Sequence, residues 1–439
     1  MEQSEIGVVQ TADSIINAGW IIPISPEGVV LEKYSVVIRD GKIQQVIPNR
    51  EANQITAKQV YNLPNHTVLP GLVNCHGHAA MTLLRGIADD KLLIPWLEKF
   101  IWPAEKKYVC EDFVRDGGEL AIAEMILSGT TTFSDMYFFP EIMAELASSK
   151  KIRCQMSFPI IDFQSPWASS PKDCISKGLE LLDRFKHREL VNIIFGPHST
   201  YSLSEESLKN ISMLTSELDI GIQIHLHETR EEVLHSMSSK GERPLQQLHR
   251  LGLLNPKTQC VHMTELNNVD IETLTLSGAH VIHCPESNMK LASGICPVTK
   301  LLAAGVNVGL GTDGAASNND LNLFGEMKTC ALLAKVNDMN ATSLSATTAL
   351  TLGTIGGART LGLEEKIGTI ENGKLGDLIA VNMDGIEMLP IHNVISQLVY
   401  VNNGSRITHS WVSGKQIMDN RQLLGFDKQD LKKRIKKWQ

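Results

Sequence analysis

No run of eighteen apolar residues occurs in this 439-residue chain, so no helix is expected to cross a membrane. The start, MEQSEIGVVQ, lacks a basic segment followed by an apolar one, and no secretory leader is expected. The eight cysteines include no C-x-x-C pair, which argues against a zinc ribbon and reads as reduced, buried thiols of a cytoplasmic protein. Excess positive charge is also missing. The net charge is −8 and the pI about 6.0, so a polyanion such as nucleic acid is not an expected partner. There is no internal repeat and no low-complexity linker. What remains, 43% apolar and 21% charged residues, suits a globular chain with a sizeable core.

Residues 12–66 read as all-β. Tyr34–Ile38 leads to Asp40-Gly41, a tight-turn pair, and Lys42–Ile47 returns. From 67 to 365 strand and helix alternate. The strand candidates are Thr67–Cys75, Thr130–Asp135, Ile152–Phe158, Val191–Phe195, Gly221–His225, Thr258–His262, His280–His283 and Val306–Leu310. Helices are expected between them, among others over Glu111–Leu127, Glu141–Ser149, Cys174–Phe185, Glu205–Leu218, Ile271–Ser277 and Asn322–Lys335. Gly129, Gly278 and Gly305 sit where a helix would hand over to a strand. This is the pattern of a (β/α)8 TIM barrel. From 366 on, β-character returns, with a second hairpin signal at Ser413-Gly414. The expected architecture is therefore a barrel over 67–365 and one small β-sandwich domain built from 1–66 and 366–439. The basic run Lys428–Lys437 reads as a solvated surface helix.

The chemistry is concentrated in Leu69–His78, LPGLVNCHGH. Side chains two apart on a strand share a face, so His76 and His78 can reach one metal ion together. Residues at the C-terminal ends of barrel strands converge on one site. His198, His225, His227, His262 and His283 all fall at such ends, as do Glu228 and Asp313, a clustering that packing alone does not explain. Imidazole and carboxylate suit Zn(2+) or Fe(2+), and the sequence leaves the choice open. A hydrolytic metal needs protein ligands and an open position for water. His76, His78, His225 and Asp313 are the expected set. His225 and His227 share a face; His225 is preferred because Glu228 then fits the turn after the strand, which leaves His227 a structural role. The fourth strand ends Ile194-Phe195-Gly196, with no lysine to bridge two ions, so one metal is expected.

PGLVNCHGHAAM, GPHSTY, IHLHET, VHM, HCPESN and LGTDGAASNNDLN together resemble the amidohydrolase superfamily, within it the deaminase and triazine-hydrolase branch, and most closely the 5′-methylthioadenosine/S-adenosylhomocysteine deaminases. The resemblance runs to about residue 425. It implies zinc on His76, His78, His225 and Asp313, and catalytic roles for Glu228, His262 and Asp313. It also implies substrate contacts at Glu105, His198, Glu228 and Asp313, with Trp96 against a thioether. The implied reaction has Asp313 take a proton from water, Glu228 protonate the ring nitrogen beside the amino-bearing carbon and His262 steer the attacking oxygen; ammonia leaves and adenine becomes hypoxanthine. Family precedent implies a homo-oligomer, a dimer or higher. One departure bears on the substrate. Family members that accept S-adenosylhomocysteine use arginines for its carboxylate, whereas Asp162–Ser170 has none and Arg184 and Arg188 lie later, on a helix. Methylthioadenosine is therefore the expected substrate, with S-adenosylhomocysteine weaker or not used and adenosine a further candidate. The rivals are a triazine or other aminopurine or pyrimidine hydrolase, and a non-catalytic scaffold, which would be expected to have lost ligands. Deaminases that act on nucleic-acid bases use H-x-E with P-C-x-x-C, absent here.

Overall fold

The computed structural model describes residues 11–401 and 404–439. Eight parallel strands follow one another in chain order: Leu72–Asn74, Thr130–Asp135, Arg153–Ile160, Val191–Pro197, Ile222–Leu226, Thr258–His262, His280–His283 and Val308–Leu310. The last returns to the first, where the Cys75 N–H donates to the Leu310 carbonyl at 2.8 Å. These strands are buried almost without interruption because helices cover the outside and side chains fill the inside. The barrel expected from the alternation is present.

The helices begin where their caps dictate. Ser170 accepts from the Asp173 N–H, so the helix expected from Cys174 starts at Pro171 and runs to Phe185. Gly129, Gly278 and Gly305 all adopt positive φ at the expected handovers. Two helical stretches lack a clear sequence signal. Leu93–Trp96, Leu97–Ile101 and Trp102–Tyr108 join into a helical segment with a π-turn in its middle, which breaks the 3.6-residue period. Arg230–Lys240 buries only Val233 and Ser236, so it shows no apolar stripe.

The strand expected over Thr67–Cys75 is two strands in different sheets. Thr56–Pro70 belongs to the outer sheet, and only Leu72–Asn74 belongs to the barrel. The chain changes sheets at Gly71, whose N–H donates to the Asp377 carbonyl while the Leu72 N–H donates to the Gly129 carbonyl. A Cβ on Gly71 would lie 2.0 Å from the Thr131 hydroxyl, so no other residue fits this crossing without a shift.

The outer sheet takes strands from both chain ends, in the order Gln422–Leu423, Lys415–Asp419, Ile407–Val412, Leu378–Asn382, Thr56–Pro70, Thr11–Ile21, Tyr34–Arg39 and Lys42–Pro48. It curls on itself, because Ile43 donates to Lys374 and Gly376 donates to Gly41. Ile16, Ile38, Val68, Leu378 and Trp411 fill the enclosed core. Both hairpin turns carry positive φ at two successive residues, Asp40-Gly41 and Ser413-Gly414, as a twist-matched two-residue turn requires. The sheet is fastened to the barrel by Arg153, whose guanidinium makes a buried two-pronged bond to Asp377.

The basic C-terminal run is a correction to the expected solvated helix. Lys428–Ile435 docks on Glu111–Leu127 through Arg434, which pairs with Asp116 and Glu119. Trp438 donates to Asp116 at 2.9 Å and packs edge-on against Phe113. The lysines of the run remain in solvent, while Arg434 and Trp438 are half-buried against the acidic face of Asp116 and Glu119.

Candidate active site

The first barrel strand delivers His76 and His78, the fifth His225, and the loop after the eighth Asp313. Each imidazole is fixed through its Nδ1. His76 Nδ1 donates to Gln223 Oε1 at 2.7 Å, His78 Nδ1 to the Met136 carbonyl at 2.6 Å, and His225 Nδ1 to the His198 carbonyl at 2.8 Å. Gln223 has no choice of orientation, since its amide nitrogen donates to the Cys75 carbonyl and to Gln259. With Nδ1 as the donor, Nε2 is the atom that each ring presents to the centre. Those three ligand atoms lie within 4.8 Å of one another.

Asp313 completes the group. Its Oδ1 stands 3.5 Å from His76 Nε2 and 3.3 Å from His78 Nε2. Its Oδ2 faces away and accepts from Ser287 at 2.6 Å and Ser317 at 2.9 Å. Asp313 holds φ 59°, a left-handed backbone that turns the chain sharply at the strand end; His262 does the same at φ 77°. Three imidazole Nε2 atoms and a carboxylate oxygen therefore face one point. A nitrogen–oxygen set of this kind fits a divalent metal.

A cavity of about 910 Å³ opens beside these four residues, and Glu105, His198, Glu228, His262 and Trp96 all line it. Glu228 is 6% exposed, and burial, helped by the charge of Asp313, pushes its carboxyl up to about 8. Its Oε2 is 3.9 Å from His262 Nε2. The backbone N–H groups of His227 and Glu228 both donate to Glu232, which fixes the turn that aims Glu228 inward. His262 donates from Nδ1 to Asn288 Oδ1 at 2.9 Å, so its Nε2 is unprotonated, and burial holds its pKa below the usual range. His198 lies beside His225, with ring centroids 4.9 Å apart. Burial lowers it to about 4, so it is neutral, and its Nδ1 meets the hydroxyls of Ser199 and Ser202. Glu105 accepts from the Tyr137 hydroxyl at 2.8 Å, and burial lifts its carboxyl to about 7.

The structure thus brings nine candidate residues to one place: His76, His78, His225 and Asp313 around one point, and Glu105, His198, Glu228, His262 and Trp96 along the cavity. His227 and His283 are not among the lining residues. His227 is fully buried, donating to the Glu265 carbonyl and accepting from the Leu245 N–H, which is a structural role. His283 is buried with its Nδ1 unpartnered. Sequence reasoning missed Gln223, Ser287, Asn288 and Tyr137. Gln223 had a signal: a polar residue in the buried strand IQIHL, two before His225 and on its face. Ser287 and Asn288 stand inside HCPESN, and Tyr137 lies two residues past the end of the second strand.

The pattern of the amidohydrolase family matches residues 67–417. A 5-methylthioadenosine/S-adenosylhomocysteine deaminase of Saccharophagus degradans is 48% identical over 98% of this chain and 96% of its own length. A protein of the same name from Teredinibacter turnerae is 46% identical over 98% and 97%. Among solved structures, an adenosine deaminase from Xanthomonas campestris with bound zinc superposes with a TM-score of 0.97 at 41% identity, covering 98% of each chain.

Proposed function

This chain belongs to the amidohydrolase family, and from that premise we propose that it is a zinc-dependent hydrolytic deaminase that converts the adenine of 5′-methylthioadenosine to hypoxanthine, releasing ammonia. The observation that carries the reading is the meeting at one cavity of three imidazole nitrogens within 4.8 Å of one another and a buried carboxyl, Glu228, whose pKa burial raises to about 8.

His76, His78, His225 and Asp313 would hold one zinc ion per protomer. A divalent cation in that position supplies Lewis acidity and lowers the pKa of water toward ~7. The chain's own residues supply the remaining steps. Asp313 accepts a proton from the attacking water. His262, committed at Nδ1 to Asn288, accepts a hydrogen bond at Nε2 and orients that water. Glu228 gives its proton to the purine nitrogen beside the amino-bearing carbon, which makes that carbon electrophilic. Asp313 returns its proton to the amino group and Glu228 takes back the hydroxyl proton of the tetrahedral adduct, so that the C–N bond breaks, ammonia leaves and a carbonyl remains on the ring. Glu105 accepts from the ribose hydroxyls, as a carboxylate can from two donors at once. His198, which lines the same cavity beside His225, contacts the nucleoside.

The preference for an uncharged 5′-substituent rests on the cavity wall. Trp96, Leu97, Ile101, Val109 and Phe163 form an apolar stretch, and the lining residues include Lys106 but no arginine. A carboxylate tail would find no bidentate partner there. We also propose the two-domain division read from the sequence, 67–365 for the barrel and 1–66 with 366–439 for the β-domain, in a cytoplasmic homo-oligomer. The test is ammonia release from 5′-methylthioadenosine, S-adenosylhomocysteine, adenosine and an aminotriazine by zinc-loaded protein. The highest kcat/KM is expected for methylthioadenosine. A preference for the charged nucleoside would overturn the specificity, and turnover of the triazine alone would overturn the reaction.

A further inference from the structure

One tripeptide at the end of the second barrel strand touches both halves of the site. Asp135 Oδ1 accepts from the Ala79 N–H, immediately after His78, at 2.6 Å. The Met136 carbonyl accepts from His78 Nδ1 at 2.6 Å. The Tyr137 hydroxyl donates to Glu105 Oε1 at 2.8 Å. Tyr137 is 4% exposed and lines the cavity, with its ring 6.3 Å from that of His78. Glu105 sits on Trp102–Tyr108, a helix outside the barrel ring. Among the described residues, the Tyr137 phenol is the hydrogen-bond donor recorded to its carboxylate.

We propose that Tyr137 is a positioning residue: its hydroxyl fixes the Glu105 carboxylate against the barrel, so that one oxygen is held while the other stays open to the hydroxyls of a bound ribose. The inference rests on the deaminase reading above and deepens it by assigning sugar recognition to a pair, not to Glu105 alone. The physical reason is preorganisation. A half-buried carboxyl on a peripheral helix has rotamers to lose on binding, and a hydrogen bond from a rigid phenol removes them beforehand. Because Asp135 and Met136 grip the His78 segment, the sugar-binding carboxylate is also held in register with the metal ligands.

The experiment compares the native enzyme with Tyr137→Phe, Glu105→Ala and the double variant, all zinc-loaded. The substrates are 5′-methylthioadenosine and its 2′,3′-dideoxy counterpart. Tyr137→Phe is expected to keep full metal content and kcat within ~2-fold, and to raise KM for the ribonucleoside ~10-fold. KM for the dideoxy compound should not change, and in the Glu105→Ala background the second substitution should add less than ~2-fold. A loss of kcat with KM intact, an equal effect on both nucleosides, or full additivity would overturn the inference while leaving the deaminase reading standing. A native enzyme that releases ammonia from neither nucleoside would overturn both.

Discussion

His76 Nε2 and His225 Nε2 lie 3.1 Å apart, and neither carries a proton, because each ring spends its N–H on an oxygen behind it. Two lone pairs at that distance repel unless a cation sits between or beside them. The arrangement is built into a fully packed barrel wall, so folding holds the ligands ready and leaves the repulsion to be relieved by a metal.

Chelation should therefore remove activity and lower stability together. With zinc at a thousand times its Kd, the loaded protein should be about 4 kcal/mol more stable than the metal-free form. His225→Ala should carry almost no metal. Metal analysis paired with thermal melts checks this, and a metal-free protein that melts no lower than the loaded one would contradict it.

Glu228→Gln should bind metal normally and lose about 10²–10⁴-fold in kcat, the usual share of a general acid. The sign of the pH dependence follows from the raised pKa. Burial pushes Glu228 up to about 8, the working form is the protonated one, and turnover of the native enzyme should fall as pH rises past that value. A pH–rate profile that climbs throughout this range would refute the role.

His283 makes a separate prediction about acid stability. Burial, with the neighbouring His262 adding to it, lowers its pKa to about 3 from the 6.5 of a free imidazole. Below pH 6.5 the unfolded chain takes up this proton before the folded one does. The stabilising contribution is thus present above 6.5 and is lost as pH falls toward about 3, at up to about 1.4 kcal/mol per pH unit. Denaturant unfolding at stepped pH should show His283→Asn losing stability less steeply than the native protein over this window. Parallel slopes would exclude the effect.

Arg153→Ala should cost about 3–5 kcal/mol, since it strands the Asp377 carboxylate, 3% exposed, between barrel and outer sheet. Equilibrium unfolding measures it. Activity per folded molecule should hardly change, because the pair lies at the opposite end of the strand from the site, and a loss below about 1 kcal/mol would mean that Asp377 finds water instead.

Much of this was legible in the residues alone. His76-Gly77-His78 announced a shared face by spacing. The glycines at 129, 278 and 305 mark helix ends. The runs that became barrel strands were apolar because both faces are covered. Less visible was whatever depends on neighbours distant in the chain. The sheet change at Gly71 depends on Thr131 standing against it. The docking of Arg434 depends on Asp116 and Glu119, far upstream and on another helix. Tyr137 looks like one more apolar residue until Glu105 is found at its hydroxyl.

The sequence by itself determined the donor types, their alternation on strand ends and the barrel that a strand–helix repeat must form. It could not determine which nitrogen of each imidazole points inward, because that is set by Gln223, Met136 and His198 across the barrel. Nor could it bring Asn74 and Thr312, 238 residues apart, into hydrogen-bond contact. Ring closure does that, since a parallel sheet bent into a barrel makes its first and last strands neighbours, and His76, His78 and Asp313 meet at that seam.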